Sequence, residues 1–374
     1  MRVCILPPMR PESLPAPTTA RPPGRARRAP LVSPALFDFW AARLSPAWSW
    51  NRPLGRILGI EPAASDAVSL LIRPNRHFRG FAPGQHLNIS VEVDGRHLVR
   101  SYSPSAVPGK DGRFRITVKK IAGGKVSGHL FDRAKVGEVL GLGEAFGDLA
   151  LPPPDGKPRL LLAAGSGITP MMALFAELAA QLKPAPTTLL YFTRSREQRC
   201  FVDELRAIAK RQPALDVRFV LTRDAACAAD EFEGRLRASQ VAPWLAAPAH
   251  VLACGPTGFV TSARELLGPH AASFAAESFS PPVHETTDTG SVALTLARSG
   301  RTLQIPRGLP LLEALEAAGL SPASGCRRGL CNTCACEKSA GSTRHLLTGE
   351  VEHEPVSALR LCVSSARSDL VLDL

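Results

Sequence analysis

Cys326, Cys331 and Cys334 fall in the stretch SGCRRGLCNTCACEKS at the spacing C-x4-C-x2-C, and Cys362 follows 28 positions after Cys334. Three thiols so close in sequence can gather round one point while the backbone wraps over it, with a fourth arriving from a later segment. This is the plant-type spacing of a [2Fe–2S] cluster. Zinc, which usually takes paired short-spaced cysteines, and an unligated group of thiols are the rival readings. Four thiolates on two ferric ions and two sulfides carry net negative charge, which Arg327 and Arg328, inside the loop, are placed to offset. Gly329 suits a loop whose N–H groups turn toward sulfur. Cys336, just outside the pattern, reads as a small buried apolar residue on a strand.

A one-electron centre needs a supplier. In LLLAAGSGITPMMAL an apolar run meets Gly165-Ser166-Gly167, then Thr169-Pro170 opens a helical pattern. Glycines let a backbone approach a pyrophosphate, and a helix N-terminus offers free N–H groups and the positive end of its dipole. Thr169 suits an N-cap and Pro170 a first turn. In ACGPTGF, Cys254, Gly255 and Pro256 end a later buried-type strand, where ligands of such sheets sit. Arg194 and Arg196 follow the second strand of this series and Arg223 the third. Arginines there can fork a ribose 2′-phosphate, which favours NADPH. Asp224 nearby leaves NADH open.

The elements that must position these groups are legible in the hydrophobic pattern. From 55 to 152, AVSLLIRP, HLNISVEV, HLVRSYSP and RFRITVKKI alternate and are punctuated by DGR and KDGR turns. This predicts a small antiparallel barrel. From 157 to 283, PRLLLAAG, PTTLLYFT, LDVRFVLT and AHVLACG alternate with helical stretches, which predicts a parallel α/β sheet. A polar linker over 284–290 precedes a last unit, 291–374, with two short strands, a helix and the cysteine loop. Residues 1–30 are rich in Pro and Arg and read as disordered. Residues 31–54 read as a short helical extension holding Trp40, Trp48 and Trp50.

With these motifs in order, residues 55–374 resemble the ferredoxin–NADP reductase superfamily with a fused plant-type ferredoxin domain, most like the NAD(P)H oxidoreductases that serve membrane-bound fatty acyl desaturases. The resemblance implies a multidomain chain: an FAD-binding barrel, an α/β nucleotide domain and a β-grasp ferredoxin domain. It implies Arg100 for the flavin phosphate, Tyr102 for packing on the isoalloxazine and Ser103 for a hydrogen bond near N5. It further implies Gly124, Val126 and Ser127 for the pyrophosphate of FAD, and Phe279 over the other flavin face. Gly165, Gly167, Thr169 and Pro170 match the nicotinamide-nucleotide motif. Cys254, Gly255 and Pro256 match the segment beside the nicotinamide. Tyr102, Ser103 and Cys254 are therefore the candidate catalytic groups. Hydride transfer asks for stacking geometry and exclusion of water rather than a general acid or base.

Net charge is +12, and residues 1–60 hold nine arginines against Glu12 and Asp38. The excess thus sits largely on the N-terminal extension. No nucleic-acid module is visible, so nucleic acid is not an expected partner. The start of the chain has no apolar core of signal-peptide length, and a reducing cytoplasm is expected. Arginine beside tryptophan over 31–50 fits peripheral contact with an anionic membrane face. The expected function is electron transfer by a monomer from NADPH through FAD and [2Fe–2S] to a redox partner, a membrane diiron desaturase. The alternatives are an oxygenase or cytochrome P450 partner, and a redox sensor.

Overall fold

The computed structural model describes residues 33–44, 47–107, 109, 112–279 and 288–374. The expected tail over 1–30 and most of the expected linker lie outside them. The helix α1 (Pro34–Leu44) precedes a seven-stranded antiparallel sheet. Its strands are β1 (Leu54–Ala64), β2 (Ala67–Pro74), β3 (His86–Val93), β4 (Arg96–Tyr102), β5 (Pro104–Ala106), β6 (Phe114–Lys119) and β7 (Val139–Phe146), with helix α2 (Lys125–Asp132) between the last two. The spatial order is β4-β3-β7-β1-β2-β6-β5. The two edges, β4 and β5, are consecutive in sequence and joined at Ser103, so the sheet must curl until its edges meet. Alternation puts Ile57, Leu70, Ile72, Ile89 and Ile116 inside the barrel, all fully buried.

The second unit is a six-stranded, all-parallel sheet. It is built from β8 (Arg159–Ala164), α3 (Ile168–Ala179), β9 (Thr187–Thr193), α4 (Val202–Arg211), β10 (Leu215–Leu221), β11 (Glu231–Glu233), α5 (Ala238–Ala246), β12 (His250–Gly255), α6 (Thr257–Leu267) and β13 (Ser273–Ser278). The order β11-β10-β9-β8-β12-β13 runs outward from β8, then returns to its other side at β12. Its switch point thus lies between β8 and β12, where the rule for open parallel sheets places a ligand. β8 and β12 are buried along their full length, as strands covered on both faces must be.

The third unit begins with β14 (Ser291–Leu296), β15 (Thr302–Pro306) and α7 (Leu311–Ala317). The chain then wraps through the cysteine loop into β16 (Ala335–Ala340), β17 (Thr343–His345), β18 (Val351–Glu352), β19 (Val356–Arg360), β20 (Ser364–Ala366) and β21 (Leu370–Leu372). Five strands form one sheet in the order β15-β14-β21-β16-β19, and β18-β17-β20 form a small second one. The last strand, β21, pairs parallel with the first, β14. That closure buries Leu294, Leu315, Val363 and Leu372 in one core. No helix among the described residues is long and apolar enough to cross a membrane.

Candidate functional site

A cleft of about 1260 Å³ opens where the three units meet. Arg100, Tyr102 and Ser103 reach it from the end of β4, and Gly124, Val126 and Ser127 from the start of α2. Gly165 and Thr169 line it from the turn after β8, Pro256 from the turn after β12, and Phe279 from just past β13. Cys326 and Arg328 line it from the cysteine loop.

Two turns owe their shape to glycine. A Cβ on Gly167 would sit 2.0 Å from the Cys254 carbonyl oxygen, so only glycine lets the turn after β8 close against β12. A Cβ on Gly124 would sit 2.4 Å from the Ser127 hydroxyl, which accepts a hydrogen bond from the Ile121 N–H at 3.2 Å and ties off the loop before α2.

Arg100 is partly buried, and its Nη1 donates to the Val99 carbonyl at 2.7 Å. Burial, followed by the nearby charge of Arg327, lowers its affinity for its proton. A guanidinium so placed beside a cleft calls for an anion, and a flavin phosphate fits it. Burial pushes the Tyr102 hydroxyl well above its usual range, so it remains a neutral flat surface. Ser103 is buried, and its Oγ lies 2.8 Å from Nδ1 of His86. The other ring nitrogen of His86 bonds the Glu277 carboxylate. Phe279 stands edge-on to the His86 ring, with centroids 5.6 Å apart.

The four cysteine sulfurs stand as two pairs, Cys326 with Cys331 and Cys334 with Cys362. Within each pair one thiol is drawn down by the hydrogen bond from its partner, Cys331 in the first and Cys334 in the second. Among the described residues no three such side chains converge as a single-ion site. Two pairs of sulfur donors suit two irons, each taking two. The loop is also shaped for sulfide-rich anionic cargo. The N–H groups of Arg328, Leu330 and Cys331 donate to Cys326 Sγ at 3.4, 3.3 and 3.3 Å, and that of Gly329 to Cys362 Sγ at 3.2 Å. Arg327 and Asn332 hold positive φ angles of 57° and 54°, a strained wrap that the surrounding contacts must sustain. The residues therefore fit a [2Fe–2S] cluster. Cys336 lies outside both pairs, partly buried, with its thiol pushed up to about 11 by burial.

Several expected placements differ. Arg327 is ion-paired with Glu316 on α7, and Arg328 bridges the loop to the nucleotide sheet, donating from Nε to the Cys326 carbonyl at 3.4 Å and from Nη1 to the Ser278 carbonyl at 3.1 Å. Arg328 keeps its positive charge beside Cys326, while the backbone N–H groups of the loop point at the sulfurs themselves. Arg196 and Arg223 do not line the cleft. Arg196 grips Glu231 with Nε at 3.1 Å and Nη2 at 2.7 Å, fastening the edge strand β11. Arg194 does line the cleft, joined by Arg235, which the strand-end pattern did not single out. Cys254 is fully buried within β12, and burial together with the charge of Glu277 keeps its thiol protonated. It supports the turn from beneath rather than facing the cleft, as do Gly167, Pro170 and Gly255. His86 and Glu277 were not among the candidates, because they lie 191 positions apart and meet only in the fold.

Comparison with known proteins agrees with this geometry. Family profiles match residues 66–149 as an oxidoreductase FAD-binding domain, 161–265 as an oxidoreductase NAD-binding domain and 294–367 as a 2Fe-2S iron-sulfur cluster binding domain. An NADPH oxidoreductase of Mycobacterium tuberculosis is 33% identical over 353 residues, covering 92% of this chain and 90% of that one. The phthalate 4,5-dioxygenase oxygenase reductase subunit of Pseudomonas putida is 31% identical over 304 residues, covering 79% and 87%. Among solved structures, phthalate dioxygenase reductase superposes with a TM-score of 0.58 at 25% identity, covering 86% of this chain and 97% of that one.

The fold and site thus define a flavin-dependent reductase with its own iron–sulfur domain. The chain belongs to the ferredoxin–NADP reductase family, as an NAD(P)H oxidoreductase that uses FAD and a C-terminal [2Fe–2S] cluster. FAD held in this cleft would supply a hydride acceptor for NAD(P)H and a source of single electrons for a [2Fe–2S] cluster that Cys326, Cys331, Cys334 and Cys362 would hold.

Proposed function

We propose that the chain draws hydride from NADPH in preference to NADH and hands single electrons from its cluster to an oxygen-activating enzyme. The observation that carries this reading is a single cleft lined at once by Arg194 and Arg235, by Tyr102, Ser103 and Phe279, and by Cys326. Nucleotide, flavin and cluster groups then share one cleft, which is the proximity that direct hydride and electron transfer require. In it, Arg100 holds the flavin phosphate, and Gly124, Val126 and Ser127 hold the pyrophosphate of FAD. Tyr102 packs on one face of the ring and Phe279 on the other, with Ser103 beside N5. Gly165 and Thr169 seat the nicotinamide nucleotide, with Pro256 beside its reactive end. Arg194 and Arg235 hold the 2′-phosphate. Similarity to the NADPH oxidoreductase of M. tuberculosis supports NADPH.

For the acceptor, an oxygenase component is supported by relatives named as reductases of phthalate 4,5-dioxygenase and of 3-ketosteroid-9-alpha-monooxygenase. A second reading, a membrane diiron desaturase, is favoured by one feature. Trp40 and Leu44 on α1 are 60% and 80% exposed, Phe39 and Trp48 are exposed too, and the Arg43 guanidinium lies over the Phe39 and Trp40 rings. Such a surface suits an anionic bilayer.

Anaerobic titration with NADPH should bleach flavin and cluster absorption together in the purified protein. No flavin after gentle purification and reconstitution would refute the electron path. Equal kcat/KM with NADH would refute the nucleotide preference. Isolation from membranes and from the soluble fraction, with identification of the oxygen-activating enzyme that accepts electrons, separates the two acceptors.

A further inference from the structure

The His86 ring is 1% exposed and spans two partners from different units: Ser103 on the barrel through Nδ1, and Glu277 on β13 of the nucleotide sheet through Nε2. A carboxylate can only accept, so the Nε2 nitrogen must carry the hydrogen of that bond. In the neutral imidazole the hydrogen on Nε2 leaves Nδ1 bare, and a bare ring nitrogen can only accept. Ser103 must then donate its single hydrogen to Nδ1 at 2.8 Å. What the hydroxyl has left to present to the cleft is a lone pair.

We propose that His86 is a positioning residue that fixes Ser103 as a hydrogen-bond acceptor toward the cofactor. This rests on the placement of Ser103 beside flavin N5. Glu277 sets the tautomer of His86, and His86 sets the direction of the Ser103 hydrogen. The acceptor matches a nitrogen that bears hydrogen, as N5 does in the reduced cofactor, and mismatches the bare N5 of the oxidised one. The three side chains thereby favour the reduced form without carrying charge into the cleft. The arrangement is held in place because His86 and Ser103 are buried, Glu277 is mostly shielded and the Phe279 ring closes one side of His86.

The test is the midpoint potential of the bound flavin in the full FAD-loaded chain at one fixed pH, for wild type, Ser103→Ala, His86→Leu and the double variant. A neutral hydrogen bond of about 1 kcal/mol is a roughly fivefold to tenfold preference for the reduced form. Tenfold equals about 30 mV for a two-electron couple. His86→Leu should lower the potential by this order, because the freed hydroxyl can turn its hydrogen toward oxidised N5. Adding His86→Leu to Ser103→Ala should change nothing further, since the two act through one bond. A downward shift that persists in the Ser103→Ala background would overturn the inference, as would no shift or a rise in His86→Leu.

If His86→Leu does not fold, ¹⁵N NMR of the histidine side chains in the loaded wild type and Ser103→Ala decides. A His86 ring unprotonated at Nδ1, whose Nδ1 signal moves in Ser103→Ala, supports the proposal, and a ring protonated at Nδ1 overturns it. If Ser103→Ala leaves both the flavin spectrum and its potential unmoved, the placement of Ser103 beside N5 fails, and the inference fails with it. If Ser103→Ala moves them and His86→Leu does not, the inference alone fails.

Discussion

The Arg328 guanidinium lies 4.8 Å from the centroid of the Phe279 ring, and its Nη1 holds the carbonyl of the preceding residue, Ser278. The cluster loop thus grips the same short segment that bounds the cleft beyond β13. Asn88 of the barrel adds a second tie, donating from Nδ2 to the Thr333 hydroxyl at 3.2 Å. Among the described residues these two side-chain hydrogen bonds join the iron–sulfur domain to the barrel and the nucleotide sheet, so each bears on how the cluster loop is held against the cleft.

Arg328→Ala removes a cation–π contact and a charged hydrogen bond, together about 2 kcal/mol. Electron transfer from flavin to cluster should slow by about tenfold or more. Flavin bleaching by NADPH should change much less. Stopped-flow absorption under anaerobic conditions separates the two steps.

The two sulfur pairs and the outlying thiol are distinguished by substitution. Cys331→Ser and Cys362→Ser should abolish the cluster's visible absorption and its electron spin resonance signal after dithionite. Cys336→Ser should keep both, at a stability cost of about 1 kcal/mol for a partly buried thiol. Iron analysis gives the same division.

Arg194→Ala and Arg235→Ala should each reduce kcat/KM for NADPH by about 10- to 100-fold, the worth of a charged hydrogen bond, while NADH is affected far less. Arg196→Ala should leave the nucleotide preference in place and loosen β11, because its partner is Glu231. Steady-state kinetics with both nucleotides, beside thermal unfolding, tells these outcomes apart.

Glu231 is almost fully buried between Arg196 and Arg199, and the Arg196 hydrogen bonds hold its carboxyl well below the usual range. A depressed folded-state value means the carboxylate stabilises the fold above the unfolded value, near pH 4.3. That stability is lost as pH falls through the folded value. Glu231→Gln should therefore cost about 3 kcal/mol at pH 7, and the gap to wild type should narrow below about pH 4. Denaturant unfolding followed across this range measures it.

Trp40→Ala combined with Trp48→Ala should weaken sedimentation with phosphatidylserine vesicles at least tenfold if α1 docks on a bilayer. Raising salt from about 0.1 M to 1 M, which shortens the screening length from about 10 to 3 Å, should weaken the wild type as well. Sedimentation unaffected by either change removes the membrane reading and leaves the soluble acceptor.

The order of the three units and the core strands of the first two were legible in the sequence, because alternation and apolar runs are local signals that burial enforces. The four cysteines that stand as two pairs were singled out by spacing, since the nine residues from Cys326 to Cys334 bring three sulfurs into one loop. The short strands of the iron–sulfur domain beyond Cys334 were not. They are held by pairings such as β21 on β14, 76 positions apart at Leu294 and Leu370, which leave no local period. The arginines behaved likewise. Position after a strand marked Arg194, Arg196 and Arg223 alike, and only the packing of β11 decided that Arg196 belongs to Glu231 while Arg235 turns to the cleft. Side chains that meet from distant segments, as His86, Ser103 and Glu277 do, are chosen by the closing of the barrel against the nucleotide sheet. The sequence determined which chemistry the chain carries; the tertiary structure decided which groups touch, because contact across units depends on long-range closure that no short window of residues encodes.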